Sequence, residues 1–251
     1  MELTSFYTDS NQFIHFGYEH IQVLMVCLIF GIWFIYSGKF KWTPAERQKN
    51  AMRLAVVMMV LQLFKPAIRL VLGNYNHTTD LPFHLCSLMP FALWFIYKAQ
   101  HRQAWAIFFF WIMAGTFQAL FTPTLTDVLP HYEALRYWGV HAGVVILALF
   151  GYFAMEWRLK AMDIIWSGLA MNATALIIYP YNCLTHSNYF FLNAKPPGTT
   201  LYSLLPAWPW YILALEGVLI VLFSIIYAIF QFTPIAVRYL LLWVRPPQLD
   251  R

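Results

Sequence analysis

The chain has 251 residues, of which 61% are hydrophobic and only 11% charged, with a formal net charge of +5. A soluble domain carries about 25% charged residues, so this composition excludes an ordinary water-soluble globule. The excess positive charge would suit nucleic acid or anionic headgroups, but its distribution assigns it to membrane topology, and nucleic acid is not expected as a partner.

A bilayer core asks for about 20 apolar residues per helical span. Seven stretches qualify: 18–37, 52–72, 82–98, 103–122, 135–155, 162–181 and 208–231. The expected fold is all-α, a polytopic transmembrane helix bundle of about seven spans forming one domain over 1–231. The opening segment "MELTSFYTDSNQF" carries Glu2 and Asp9 and no basic residue, so it does not read as a cleavable signal peptide.

Lys39, Lys41, Arg47, Lys49 and Arg53 follow the first span, Lys98 and Arg102 the third, Arg158 and Lys160 the fifth, and Arg238, Arg245 and Arg251 the last. The alternate loops hold Glu2, Asp9, Glu19, Asp80, Asp127 and Glu133, with only Arg136 and Lys195 among them. Short cytoplasmic loops concentrate Lys and Arg, which puts the amino terminus outside and the carboxyl terminus inside. Residues 232–251 read as a cytoplasmic, interfacial amphipathic tail. The compact loops fit an integral protein of a bacterial inner membrane, with membrane lipid as its partner. No internal repeat is evident, which weakens a transporter built from inverted halves.

An ionisable side chain at membrane depth is costly and marks a candidate site. On the second span Lys65 falls just beyond the midplane, with Arg69 about 6 Å higher on the same face. His84 and Cys86 fall in the first turns of the third span, Gln118 closes the fourth, and His141 lies two turns into the fifth. Asn172 is near the middle of the sixth and Glu216 two turns into the seventh. Nearly all fall in the outer half, as a polar pocket opening outward requires. Each has a plainer reading. Lys65 and Arg69 would snorkel or pair with Glu216, His141 would bond a neighbouring helix, Gln118 and Asn172 would be packing glue, Arg136 would be solvated, and Cys86 would be a small buried hydrophobe.

In "DLPFHLCSLMP" (80–90), Asp80 is a candidate N-cap and Pro82 suits a first turn, so the third helix is expected to start there. Residues two apart on a helix point about 200° away from each other, so only one of His84 and Cys86 faces the pocket unless that turn is distorted. Pro90 removes the N–H that the Cys86 carbonyl would accept, favouring a kink. Cations such as Lys65 and Arg69 stabilise a thiolate. A cysteine nucleophile served by a histidine base from another helix is then sound chemistry, with His141 at the matching depth. Cys27, Cys86 and Cys183 lie far apart with no CxxC pair, so neither a metal site, a cofactor nor a disulfide framework is expected.

Four segments carry a resemblance: "LPFHLCSL" (81–88), "GTFQALFTPTL" (115–125), "WGVHAG" (138–143), and "NYFFLNAKP" followed by "PAWPWYI" (188–212). Together they resemble the YwaF-type integral membrane proteins, a superfamily shared with a eukaryotic transmembrane acyltransferase acting on ether phospholipids. The resemblance implies that Cys86 and His141 are a catalytic pair, with Ala142 where glycine commonly follows the histidine. It further implies a thioester mechanism on phospholipid acyl chains, with Lys65 and Arg69 holding a phosphate or an oxyanion. His84, Gln118, Asn172 and Glu216 complete the expected substrate-binding set. The competing reading is a non-catalytic seven-helix carrier or receptor for an anionic or zwitterionic ligand, and a third is a structural membrane partner anchored by Trp208, Trp210 and Tyr211.

Overall fold

Local chemistry sets where the helices begin. Thr43 accepts a hydrogen bond from the Glu46 N–H at 3.4 Å while the Glu46 carboxylate accepts from the Thr43 N–H at 2.8 Å, a capping box with Pro44 at the first helical position. The second helix therefore starts well ahead of its apolar stretch.

The computed structural model describes residues 13–196 and 204–244, with side chains through Phe232. Among these residues every regular element is helical. In chain order they are α1 (Tyr18–Phe40), α2 (Pro44–Val71), α3 (Leu85–Ala99), α4, α5 (Tyr132–Phe153), α6 (Ala161–Thr185) and α7 (Trp210–Val244). Helix α4 runs Arg102–Trp111, passes through a π turn at Ile112–Thr116, and ends with Phe117–Ala119. The rods follow the expected stretches in order. Five of them, α1, α2, α5, α6 and the Trp210–Phe232 part of α7, are long and apolar enough to cross a bilayer. Helix α3 is apolar but shorter, at 15 residues.

Two further boundaries differ from expectation for reasons visible in the structure. Helix α3 begins at Leu85, because the Asp80 carboxylate that was to cap it is drawn instead to Arg69. Helix α7 continues unbroken to Val244, across the expected start of the tail. The side chains of 233–244, Arg238 among them, and residues 245–251, with Arg245 and Arg251, lie outside the described residues, as do Glu2 and Asp9.

Helix α5 is the central post. Its apolar window is 78% buried, against 11–22% for the other four spanning helices, and it packs on α1, α2, α3 and α4. Small residues permit this. A Cβ on Gly143 would lie 2.3 Å from Met58 Sδ, and one on Gly139 2.6 Å from Leu61 Cδ1, both on α2. In lipid, where helices gain little from hydrophobic burial, such a GxxxG face supplies close van der Waals contact. Two buried donors are satisfied across helices, the Tyr97 hydroxyl donating to Leu147 O at 2.6 Å and the Trp111 indole to Ser167 O at 3.0 Å, whereas the buried Trp138 Nε1 has no hydrogen-bond partner among the described residues.

The basic loops gather at one end. Arg47 donates to Ala154 O (2.8 Å) and Lys39 O (3.2 Å), and Arg102 donates to Asp163 (2.6 and 2.9 Å) and Arg158 O (2.8 Å). Lys39 pairs with Glu156 there. The α2–α3 and α4–α5 connections and residues 186–196 after α6 lie at the other end, where the polar residues collect.

Candidate functional site

At that other end a cavity of about 720 Å³ is bounded by α2, α3, α5 and their loops. Lys65 and Arg69, one turn apart on α2, both line it, and so do His84, Cys86 and His141. Arg69 donates to Asp80 Oδ1 at 2.9 Å, and Lys65 Nζ lies 3.8 Å from the same oxygen. Lys65 also lies 3.3 Å from Glu133 Oε1, while Arg136 donates through Nε and a terminal nitrogen to Glu133 Oε2 at 2.9 and 2.8 Å. A further Arg136 nitrogen reaches Gln62 Oε1 at 3.3 Å.

The result is a chain of alternating charge, Arg69–Asp80–Lys65–Glu133–Arg136, with three cations and two carboxylates. The Asp80 side chain is fully buried. Buried charges persist only when paired, and Asp127, which also lines the cavity, offsets the one cation that the chain itself leaves over. The counterions of Lys65 and Arg69 are thus Asp80 and Glu133, and the alternative pairing with Glu216 is corrected. Glu216 accepts from Asn172 Nδ2 at 3.2 Å, because α7 packs on α6 and the π turn of α4. Gln118 is exposed near the end of α4 and, like Asn172 and Glu216, does not line the cavity.

The expectation that His84 and Cys86 diverge is also corrected. His84 is the N-cap of α3, in extended conformation (φ −70°, ψ 147°), so helical spacing does not apply across the pair and both reach the cavity. The His84 ring sits 5.1 Å from that of Tyr189 and 5.2 Å from that of Phe191. Cys86 Sγ lies 3.5 Å from Thr116 Oγ1 on α4. His141 Nδ1 lies 2.8 Å from Tyr137 O. A carbonyl only accepts, so Nδ1 carries the proton and Nε2 is the bare, basic nitrogen. The Tyr137 ring stacks on the imidazole at 4.0 Å and fixes its plane.

The loop after α6 supplies the remaining wall. Asn182 donates to Tyr189 O at 2.8 Å and accepts from the Tyr189 N–H at 3.0 Å. The Tyr189 hydroxyl donates to His77 O at 2.9 Å and accepts from the Leu81 N–H at 3.0 Å. Burial pushes that phenol up to about 12, so it stays protonated and remains a donor. The wiring holds Phe190 and Phe191 at positive φ (64° and 53°), a costly conformation for bulky residues, with Phe191 against the cavity.

The family model described as TMEM164 family matches residues 15–227, from before α1 into α7, and so takes in every cavity residue named above. The chain belongs to the TMEM164 family. An uncharacterized protein of Treponema pallidum (strain Nichols) is 23% identical over 190 residues, covering 75% of this chain and 78% of that protein. No solved structure matches. Together with the long apolar helices, membership of the TMEM164 family makes this an integral membrane protein embedded in lipid.

Sequence reasoning missed part of the cavity of this TMEM164 family chain. Glu133, Arg136, Tyr137 and His141 follow i, i+3, i+4, i+8 spacing, so one face of α5 carries them all. That pattern was available, but Arg136 read as solvated. Asp80 read as a helix cap, and Thr116 had no sequence signal beyond lying within the "GTFQALFTPTL" segment.

Proposed function

We propose that the protein is an acyltransferase or lipid hydrolase acting on phospholipid acyl chains through a Cys86 thioester, with His141 as base. In this reading it spans a bacterial inner membrane about seven times, with its amino terminus outside and its tail in the cytoplasm. The observation that carries the chemistry is that Cys86 and His141, from two helices, line one cavity with Lys65 and Arg69.

His141 Nε2 takes the Cys86 thiol proton and the sulfur attacks the ester carbonyl carbon. Lys65 and Arg69 hold the phosphate or the developing oxyanion. The carbon–oxygen ester bond breaks, the proton on Nε2 passes to the departing lysolipid alkoxide, and the acyl group remains on sulfur. A lysolipid hydroxyl or water then gives its proton to Nε2 and attacks the thioester. The acceptor carries the acyl group away, and the thiolate recovers the proton.

Purified wild type and Cys86→Ser are incubated with phospholipid bearing an alkyne-tagged acyl chain, reading intact mass, hydroxylamine sensitivity and released fatty acid. A hydroxylamine-labile adduct or acyl release in wild type that is lost in Cys86→Ser supports the proposal. Absence of both, with equal lipid binding by the two proteins, overturns it in favour of the non-catalytic carrier, in which Lys65 and Arg69 would hold an anionic or zwitterionic ligand.

A further inference from the structure

Helical serines and threonines in a dry bundle usually satisfy their hydroxyls by turning back to the carbonyl four residues earlier. This chain follows that habit. Ser167 donates to Asp163 O at 2.6 Å, Thr174 to Ala170 O at 2.8 Å, Thr185 to Tyr181 O at 2.7 Å, and Ser224 to Ile220 O at 2.7 Å.

Thr116 departs from it. The residue is 1% exposed, yet its hydroxyl lies 3.5 Å from Cys86 Sγ on another helix. The backbone explains the departure. Thr116 closes the π turn, in which the Ile112 carbonyl accepts from the Phe117 N–H five residues on. The turn shifts the register of α4 by one residue, as single π turns at functional sites do. At this turn the Thr116 hydroxyl is presented across the helix interface to the thiol.

We propose that Thr116 is a positioning residue for Cys86, its hydroxyl donating a hydrogen bond to the ionised sulfur and holding it in one rotamer at the cavity wall. The inference rests on the Cys86 chemistry proposed above, but it concerns the thiol itself and not the lipid. No bond to Thr116 forms or breaks. The Cys86 proton goes to His141 Nε2, and the Thr116 proton stays on its own oxygen throughout.

The test reads the thiol without any lipid substrate. In a Cys27→Ala, Cys183→Ser background, the rate of Cys86 alkylation by iodoacetamide is followed against pH for Thr116, Thr116→Val and Thr116→Ser proteins. Thr116→Val is expected to react about tenfold more slowly at neutral pH, the size of one hydrogen bond to a charged acceptor. Thr116→Ser should stay within about twofold of the parent. Should the valine protein fail to fold, Thr116→Ala must show the same slowing. Alkylation of the valine or alanine protein at the parental rate overturns the proposal. So does a serine protein as slow as valine, since the methyl group would then be what matters. Loss of acyl adduct formation with intact alkylation differences would count against the lipid chemistry and not against Thr116.

Discussion

The two ends of the bundle set their cations in different surroundings. At the basic end, Arg47, Arg102 and Arg158 donate to the carbonyls of Ala154, Arg158 and Tyr152, groups that helix ends and loops leave without partners. At the cavity end, Lys65, Arg69 and Arg136 face carboxylates and a glutamine side chain around open space. An arginine that satisfies backbone completes the fold. One held by carboxylates beside a void keeps charge in a place where a ligand can use it. Arg102 has both kinds of partner, since it also donates to Asp163, so what separates the two ends is the open space beside the cavity's ion chain.

The sharpest test of that difference is Asp80→Asn. It removes a fully buried carboxylate and leaves Lys65 and Arg69 facing each other without it. Breaking a buried pair by deleting one partner costs about 3–5 kcal/mol. Unfolding of the purified protein in detergent micelles should show a loss of this size, accompanied by a changed rate of Cys86 alkylation. A stability loss with no change at the thiol would mean that the ion chain is structural, like the opposite end.

The counterpart is Asp163→Asn, which loses the carboxylate that accepts two bonds from Arg102 at the basic end. Asp163 is nearly as buried as Asp80, so a loss at the lower end of the same range, about 3 kcal/mol, is expected in the same assay. Cys86 alkylation should be unchanged, because no part of this pair touches the cavity. A change at the thiol would break the comparison by coupling the two ends through α4, which begins at Arg102 and carries Thr116 near its other end.

What was legible in the sequence follows the same division. Apolar stretches and alternating basic loops give the order of the rods and the gathering of the basic residues, because both depend only on position along the chain. Depth follows from helical rise, which is why Lys65, Arg69, His84, Cys86 and His141 could be expected at one level before their shared cavity was seen. Azimuth does not follow. Glu216 has a similar expected depth, yet it sits on α7 against α6, away from the cations. Which helices meet is decided by contacts such as Gly139 on Leu61 and Gly143 on Met58, which are three-dimensional facts. The π turn was equally hidden, since "IMAGT" carries no proline to announce it.

The smallest expected effect is at Lys39 and Glu156, an ion pair on the basic end in which both side chains keep substantial exposure. The Lys39 hydrogen bond, followed by its charge, holds the Glu156 carboxyl below the ordinary carboxylate value. A carboxyl lowered by folding stabilises the folded state above its unfolded pKa, and that contribution fades as pH falls through the folded value. Lys39→Gln should therefore lower the melting temperature slightly at neutral pH and leave it unchanged in acid. Molar salt should erase the neutral-pH difference, since screening then acts within a few ångströms. The Asp80→Asn loss should survive the same salt, because its charges are screened far less when buried. If the Lys39→Gln difference persisted in salt, the contribution would have to lie elsewhere than in the pair. The nearest candidate is the Lys39 carbonyl held by Arg47, which would make Lys39 another part of the backbone clasp that distinguishes this end from the cavity.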